Sequence, residues 1–351
     1  MSLKYEEVSC KSVLGNFGIL DTQFWTNYCF DPYINCEFNC VYCHTAAHKC
    51  DSSRDFYASV YAKTNAPQVL AKELASFKRK SVLRLSGNTD PYQQAEKKYR
   101  ITRQILEVLE EHNWPFAIGT KSDLVLRDLD LLSRASKKSR CCVSLTITTL
   151  DEKLAKLLEP NAPSPKRRLE TVKQLSDNGI TVGVWFIPLI PYVTDPKENM
   201  EGVVGAAVEN GAKFVLSGML DMRGSVRFKR FLEENFAQFA QEYERLYEGR
   251  AMRPACGDID ESYLYTTYRR FISVCQKYKM PKYIPHFYTR QQALLFYIRN
   301  FSRFRGTPLF EFTQILNLMF PSKEFLQTIR VRFGDNPLGK GVLAALGYFP
   351  H

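Results

Sequence analysis

The sequence predicts an α/β chain: a partial (β/α)6, TIM-like barrel followed by a C-terminal helical region. Three observations point there. Short β-branched runs alternate with amphipathic helical stretches from residue 80 onward. Small, hydroxyl and charged residues collect just after the strand-like runs. After residue 220 the rhythm changes to helices rich in Phe, Tyr and Arg. Regular alternation implies parallel strands joined by right-handed crossovers, and a closed or partly closed series carries its chemistry on the loops after the strands' C-terminal ends. An open doubly wound sheet is the alternative and would use the same ends.

The elements follow in order. "TQFWTNYCF" (22–30) is the first expected strand and "SVLRLS" (81–86) the second. A helix over 95–112 places Ile101, Ile105, Leu106 and Leu109 on one face. "PFAIGT" (115–120) is the third strand, 123–135 a helix, and "CCVSLTIT" (141–148) the fourth strand. The helix over 163–179 has proline near its start and Gly179 at its end, the usual asymmetry. "ITVGVWFIP" (180–188), a helix over 196–211, and "AKFVLSG" (212–218) complete six strands. From Arg223 to Gly249 the pattern reads as one long amphipathic segment, and Pro254 with Gly257 marks a break. The expected divisions are an extension over 1–21, the barrel over 22–220, and a basic, aromatic-rich helical region over 221–351 that packs on the barrel or over its mouth.

A chain of 351 residues, 45% hydrophobic, can bury a large core. The N-terminus mixes acids and lysine into its apolar residues, unlike a secretory signal, and no run of about eighteen apolar residues suggests a membrane span. A soluble cytoplasmic protein with no membrane partner is the expectation. The formal charge of +11 is uneven: 28 Lys and Arg face 25 Asp and Glu over residues 1–220, against 20 and 12 over 221–351. The stretch 265–332 holds twelve Lys and Arg, two acids and fifteen Phe and Tyr.

Ten cysteines in a reducing cytosol read as ligands or buried small residues rather than as disulfides. Cys141 and Cys142 lie in an apolar strand and read as core thiols; Cys10, Cys29, Cys256 and Cys275 suggest no role. Four cysteines crowd into "NCEFNCVYCHTAAHKC" (35–50), where Cys36, Cys40 and Cys43 are spaced CxxxCxxC. Zinc on Cys40, Cys43, His48 and Cys50 is one reading; it needs an unusually tight second half and leaves Cys36 unexplained. Three cysteines on three irons of a 4Fe-4S cubane, with the fourth iron open, is the other. His44, His48 and Cys50 are otherwise polar loop residues, and His286 a packed ring.

The spacing CxxxCxxC, with Tyr42 just before the last cysteine, resembles the signature of the radical S-adenosylmethionine superfamily. Four stretches in register, "DPYINCEFNCVYC", "LSGNTDPYQQAE", "IGTKSDLVLRDLDLL" and "LEPNAPSPKRRLETVKQLSDNGITVGVWFIPLIPYVTD", resemble the branch that includes spore photoproduct lyase. The resemblance implies that Cys36, Cys40 and Cys43 ligate a 4Fe-4S cluster whose open iron chelates S-adenosylmethionine. Reductive cleavage then yields methionine and a 5'-deoxyadenosyl radical that abstracts hydrogen from a substrate. It implies further that Tyr42 packs near the adenine, that Thr89 and Asp90 lie near the methionine portion, and that Lys121 suits its carboxylate. Ser144 would hydrogen-bond the cofactor from the fourth strand, with Glu159 and Arg168 as a supporting pair. An electron donor such as a flavodoxin or ferredoxin is implied as partner. The lyase carries a hydrogen-donating cysteine shortly before its Ser/Thr-Asp pair; here that place holds Gly87 or Asn88, so its substrate is not carried over.

Each residue also has a plainer reading. Tyr42 could be core packing and Lys121 a surface lysine; "NTDP" is ordinary turn chemistry, and Glu159 with Arg168 an ordinary ion pair. "FYIRNFSRFRG" (296–306) offers cations and flat rings to a nucleic acid substrate, but an amphipathic helix explains the same alternation. A nucleic-acid-binding protein with a structural zinc and no catalysis is therefore the rival function.

Overall fold

In a computed structural model of the chain, the described residues are 3–14, 24, 26–48, 56, 58–77, 80–222, 226–247 and 259–280. They contain nine strands: β1 (Lys4–Val8), β2 (Tyr28–Phe30), β3 (Tyr33–Ile34), β4 (Ser59–Lys63), β5 (Leu83–Leu85), β6 (Phe116–Thr120), β7 (Cys141–Thr146), β8 (Thr181–Leu189) and β9 (Val215–Met219). Six form one parallel sheet in the order β2-β5-β6-β7-β8-β9, each next to its successor. With helices between successive strands, this is the partial (β/α)6 barrel that the alternation predicts.

The register sorts the side chains. Leu85, Ile118, Val143 and Val182 pair across the sheet and join the main apolar cluster with the helices outside it. One step along, Gly119, Ser144 and Gly183 stand in the next rung and face the concave side. A Cβ on Gly119 would lie 2.0 Å from the Trp185 ring, and one on Gly183 would lie 2.3 Å from the Phe214 ring. Two large rings, Trp185 of β8 and Phe214 just before β9, thus fill the space where Gly119 and Gly183 have no side chain.

Boundaries differ from expectation where local geometry intervenes. Of the first expected strand, Tyr28–Phe30 pairs as β2, and residues 22, 23 and 25 lie outside the described residues. The helix expected over 95–112 is two helices, Ala95–Tyr99 and Ile101–Glu111, because Arg100 takes a left-handed φ of 53°. The helix at 123–135 starts as a 3-10 turn, Asp123–Asp128, capped by Ser122. Glu152–Leu158, not expected, is a helix with Asp151 accepting from the backbone of Lys153 and Leu154. The extension also forms a strand: β1 pairs parallel to β4, and β3 pairs antiparallel to β4's other edge.

Beyond the sheet, the expected long segment is divided at Phe236 into the helices Val226–Asn235 and Ala240–Tyr247. The Glu261–Lys277 helix buries Phe271, Val274 and Cys275 in the main core, with Phe271 edge-on to Phe186 at 6.2 Å. His286 and the 296–306 stretch lie outside the described residues, as does Cys50. No helix among the described residues is long and apolar enough to cross a membrane.

Candidate active site

The cysteine loop follows β3 and is held from several directions. Asn35 and Asn39 take left-handed φ values of 67° and 57°, which turn the chain twice within five residues. Gln93 bridges the backbone at both Asn35 and Glu37, Asn161 donates to the Glu37 carbonyl, and the Val41 N–H donates to Leu158. Arg227 reaches Asn39 through two bonds, at 2.7 and 3.1 Å. Phe38, Val41 and Tyr42 pack with Leu158, Ile190 and Leu220 and with Phe228 and Tyr243 of the helices after the barrel. A loop so tied holds its three thiols in place before any ligand arrives.

All three thiols border one cleft of about 950 Å³, its open side included. The rest of its wall comes from successive strand ends: Ser86 to Asp90 after β5, Thr120 and Lys121 at β6, Thr146 at β7, Trp185 and Pro188 on β8, and Met219 to Asp221 at β9. Among the described residues, no three of His, Cys, Asp and Glu converge as the ligands of a single ion would. Burial pushes the Cys40 thiol up to about 12 although Lys121 pulls the other way, and burial likewise raises Cys36, helped by Asp90 and the other two thiols. Thiols in that state release protons when a metal binds. A donor set of three thiols on one wall, beside the Lys121 ammonium, fits an iron-sulfur cluster.

The cations are organised by Glu159. This carboxylate is 1% exposed, accepts a short hydrogen bond from the Tyr42 hydroxyl, pairs with Arg168 at 2.5 Å and faces the Lys121 ammonium at 3.9 Å. Burial alone would raise its pKa, yet Arg168, Lys121 and Tyr42 hold it below the ordinary value. Of the two cations that face Glu159, Lys121 is the member that borders the cleft, where the Asp90 carboxylate also acts on it. Burial would depress Lys121, but Cys40 and Glu159 beside it outweigh that and raise it.

Thr89 and Asp90 both border the cleft, but their polar groups are committed to the scaffold. Asp90 accepts from Thr120 Oγ1 at 2.6 Å and from the backbone N–H groups of Lys121 and Tyr92, and burial raises its carboxyl. Thr89 donates to the Tyr33 carbonyl. Tyr42 borders the cleft; Ser144 and Arg168 do not. Ser144 lies one rung deeper than Thr146, its buried Oγ without a partner among the described residues. Arg168 stands behind the wall, donating to the carbonyls of Thr146 and Pro163. Sequence reasoning missed Asp31, Thr120, Thr146 and Trp185. Asp31 and Thr120 stood inside motif stretches, and the strand-end position of Thr146 was a usable signal; nothing local marks Trp185.

The radical SAM superfamily model matches residues 31–202. An uncharacterized protein of Mycobacterium tuberculosis is 31% identical over 256 residues, 70% of this chain and 74% of its own length. One of Methanocaldococcus jannaschii is 31% identical over 213 residues, 60% of this chain and 77% of its own. Among solved structures, a spore photoproduct lyase variant with bound AdoMet and dinucleoside spore photoproduct has a TM-score of 0.58 at 13% identity, covering 81% of this chain and 82% of that one. The lyase complexed with dinucleoside spore photoproduct has a TM-score of 0.57 at 12% identity, covering 80% and 81%. At such identity the likeness is one of fold. Family membership sets aside the rival, a binding protein without catalysis. With its curled six-stranded sheet and its cysteine loop on the cleft, this chain belongs to the radical SAM superfamily, whose enzymes work through S-adenosylmethionine and an iron-sulfur cluster.

Proposed function

We propose that residues 22–220 form the catalytic unit and that Cys36, Cys40 and Cys43 hold a 4Fe-4S cluster with one iron open to S-adenosylmethionine. When bound, the pair supplies, after one-electron reduction, a 5'-deoxyadenosyl radical that takes hydrogen from the substrate. The chain's own residues do the rest. Tyr42 closes the cluster side toward the nucleoside, and Lys121 meets the cofactor carboxylate. Glu159 and Arg168 keep that ammonium in place from behind; Ser144 and Trp185 close the barrel below. The observation that carries this reading is the joining of three thiols and the half-buried Lys121 ammonium on a single cleft at the strand ends.

A flavodoxin or ferredoxin is the class of electron donor this chemistry asks for, and a reducing cytoplasm is the compartment that suits it. For substrate we propose a nucleic acid. The support is the basic, aromatic composition over 265–332, together with the photoproduct ligand named for the lyase of like fold. Photoproduct repair itself is not proposed, since the place where the lyase has its cysteine holds Gly87 or Asn88 here.

The test is anaerobic reconstitution with iron and sulfide, reduction with dithionite, addition of S-adenosylmethionine and chromatography of 5'-deoxyadenosine. The expected outcome is formation by the wild type and none by Cys40→Ala. A protein that keeps zinc and forms no 5'-deoxyadenosine would overturn the proposal. For the substrate, salt-sensitive binding of single-stranded oligonucleotides that falls on replacing Arg299, Arg303 and Arg305 supports the nucleic acid; unchanged binding counts against that stretch.

A further inference from the structure

The cysteine loop has two sides. Its thiols border the cleft; its backbone is bracketed by two helices, neither of which lines that cleft. At the C-terminal end of the Glu152–Leu158 helix, the Leu158 carbonyl accepts from the Val41 N–H at 2.9 Å. Just beyond it, the Asn161 N–H donates to the Phe38 carbonyl at 3.3 Å. At the start of the Val226–Asn235 helix, Arg227 donates to the side chain and the carbonyl of Asn39. Leu158 and Phe228 also pack in one apolar cluster with Phe38 and Val41. Cys40 stands between Asn39 and Val41, so each helix is a single hydrogen bond away from a residue joined to Cys40.

These helices carry the two most exposed large apolar side chains among the described residues, Val226 at 71% and Leu157 at 47%. Exposed apolar side chains scattered singly need no explanation, but these two flank one loop. Charge surrounds them. Lys153 and Lys156 are exposed on the first helix and Lys229 and Arg230 on the second, where Arg227 is half-buried. The acids of both helices sit at the ends away from the loop: Asp151 and Glu152 at the start of the first, Glu233 and Glu234 near the end of the second. The loop's own Glu37 accepts from the Ala95 N–H. Apolar side chains within a charged rim are the make-up of a protein-docking face, and a basic rim selects an acidic partner.

The chemistry of the loop says which partner. A cluster on Cys36, Cys40 and Cys43 must receive an electron, and electron transfer weakens steeply with distance. Cofactor and substrate need the cleft side, whereas the outer side offers short bonded routes to Cys40. We propose that the Glu152–Leu158 and Val226–Asn235 helices form the docking face for an acidic electron carrier of the flavodoxin class. Leu157 and Val226 meet the apolar dimethylbenzene edge of its flavin, and the lysines and arginines meet its carboxylates. The reduced carrier loses one electron and the cluster gains it, with no bond formed or broken in this chain. This rests on the cofactor reading above.

The test reads binding and reduction separately. Reconstituted protein is titrated with a flavodoxin by calorimetry, and reduction of its cluster by the reduced flavodoxin is followed by bleaching of the visible absorbance. A variant combining Lys156→Glu, Lys229→Glu and Arg230→Glu should bind about thirtyfold or more weakly at low salt, and the gap to the wild type should narrow as salt is raised. Leu157→Ser with Val226→Ser should bind about tenfold more weakly, with no such dependence on salt. Both variants should keep the wild type's iron content and its rate of reduction by dithionite, a reductant too small to need a docking face. Lys213→Glu, an exposed site just before β9 at the opposite end of the sheet, should bind as the wild type does. Unchanged binding in the charge-reversed variant, or an equal loss in Lys213→Glu, would overturn the proposal. So would a wild type that holds its cluster yet binds a ferredoxin, or neither carrier, in place of the flavodoxin. A wild type that takes up no iron-sulfur cluster would overturn instead the cofactor reading, and the proposal with it.

Discussion

Two networks of buried charge in this molecule are built from the same parts, and only one belongs to the cleft. At the cleft, Glu159 gathers Tyr42, Arg168 and Lys121. On the helix side of the sheet, Glu96 takes the Tyr33 hydroxyl in a short hydrogen bond and pairs with Arg127 at 2.6 Å, and Asp128 takes Tyr92 and Arg103 at 3.0 and 2.9 Å. In the second network two buried carboxylates face two arginines, and a further Glu96 bond comes from the Thr102 N–H. None of these residues borders the cleft. Burial, a tyrosine and an ion pair therefore mark nothing by themselves. What separates the networks is place: the outer one borders no cavity, while the inner one turns the Lys121 ammonium to the cleft.

The comparison breaks most visibly if charge is removed from each side. Arg127→Met leaves two buried carboxylates short of a partner, and unfolding by urea should show a loss of about 3 kcal/mol or more. Its S-adenosylmethionine cleavage per folded molecule should stay near wild type. Lys121→Met should do the reverse: about a hundredfold less 5'-deoxyadenosine per minute, with stability changed by less than about 1 kcal/mol, because Glu159 keeps Arg168. Equal effects of the two variants on activity would abolish the distinction.

Smaller changes sharpen it. In Gly119→Ala the new methyl meets the Trp185 ring at 2.0 Å, so the indole must shift toward the cleft. Overpacking of this kind costs about 1–3 kcal/mol, and it should weaken S-adenosylmethionine binding, measured by dialysis, where Val143→Ala on the outer face lowers stability alone. The smallest effect concerns pH. The Arg103 guanidinium holds Asp130 down at about 2, below its ordinary 3.8. A lowered acid contributes stability above its unfolded value and loses it as pH falls toward the folded one. The wild type's advantage over Asp130→Asn should thus be full above pH 3.8 and vanish as pH falls toward 2. Its size, about 1 kcal/mol at most, is limited by solvent at this half-exposed side chain.

Much of the architecture was legible because it is written locally. Strands β6 to β9 and the helices Pro165–Asp177 and Lys197–Glu209 announce themselves by period, caps and terminal glycines within a few residues. The short strands were not so legible. β1 is exposed along most of its length and becomes a strand only because β4 offers it an edge. Arg100 divides a helix whose apolar spacing runs straight through it.

The site divides the same way. The spacing of Cys36, Cys40 and Cys43 and the strand-end place of Lys121 are properties of short stretches, and the sequence by itself determined the class of chemistry they suggest. Only the tertiary structure decided that Tyr42 meets Glu159 across 117 positions, that Asp31 holds a loop 56 to 58 positions away, and that Trp185 lies over Gly119. Such pairings join side chains brought together by the closing of the sheet, and no periodicity records them. Which carboxylate meets which cation, and which cation faces the cleft, is a property of the assembled charges rather than of any one residue.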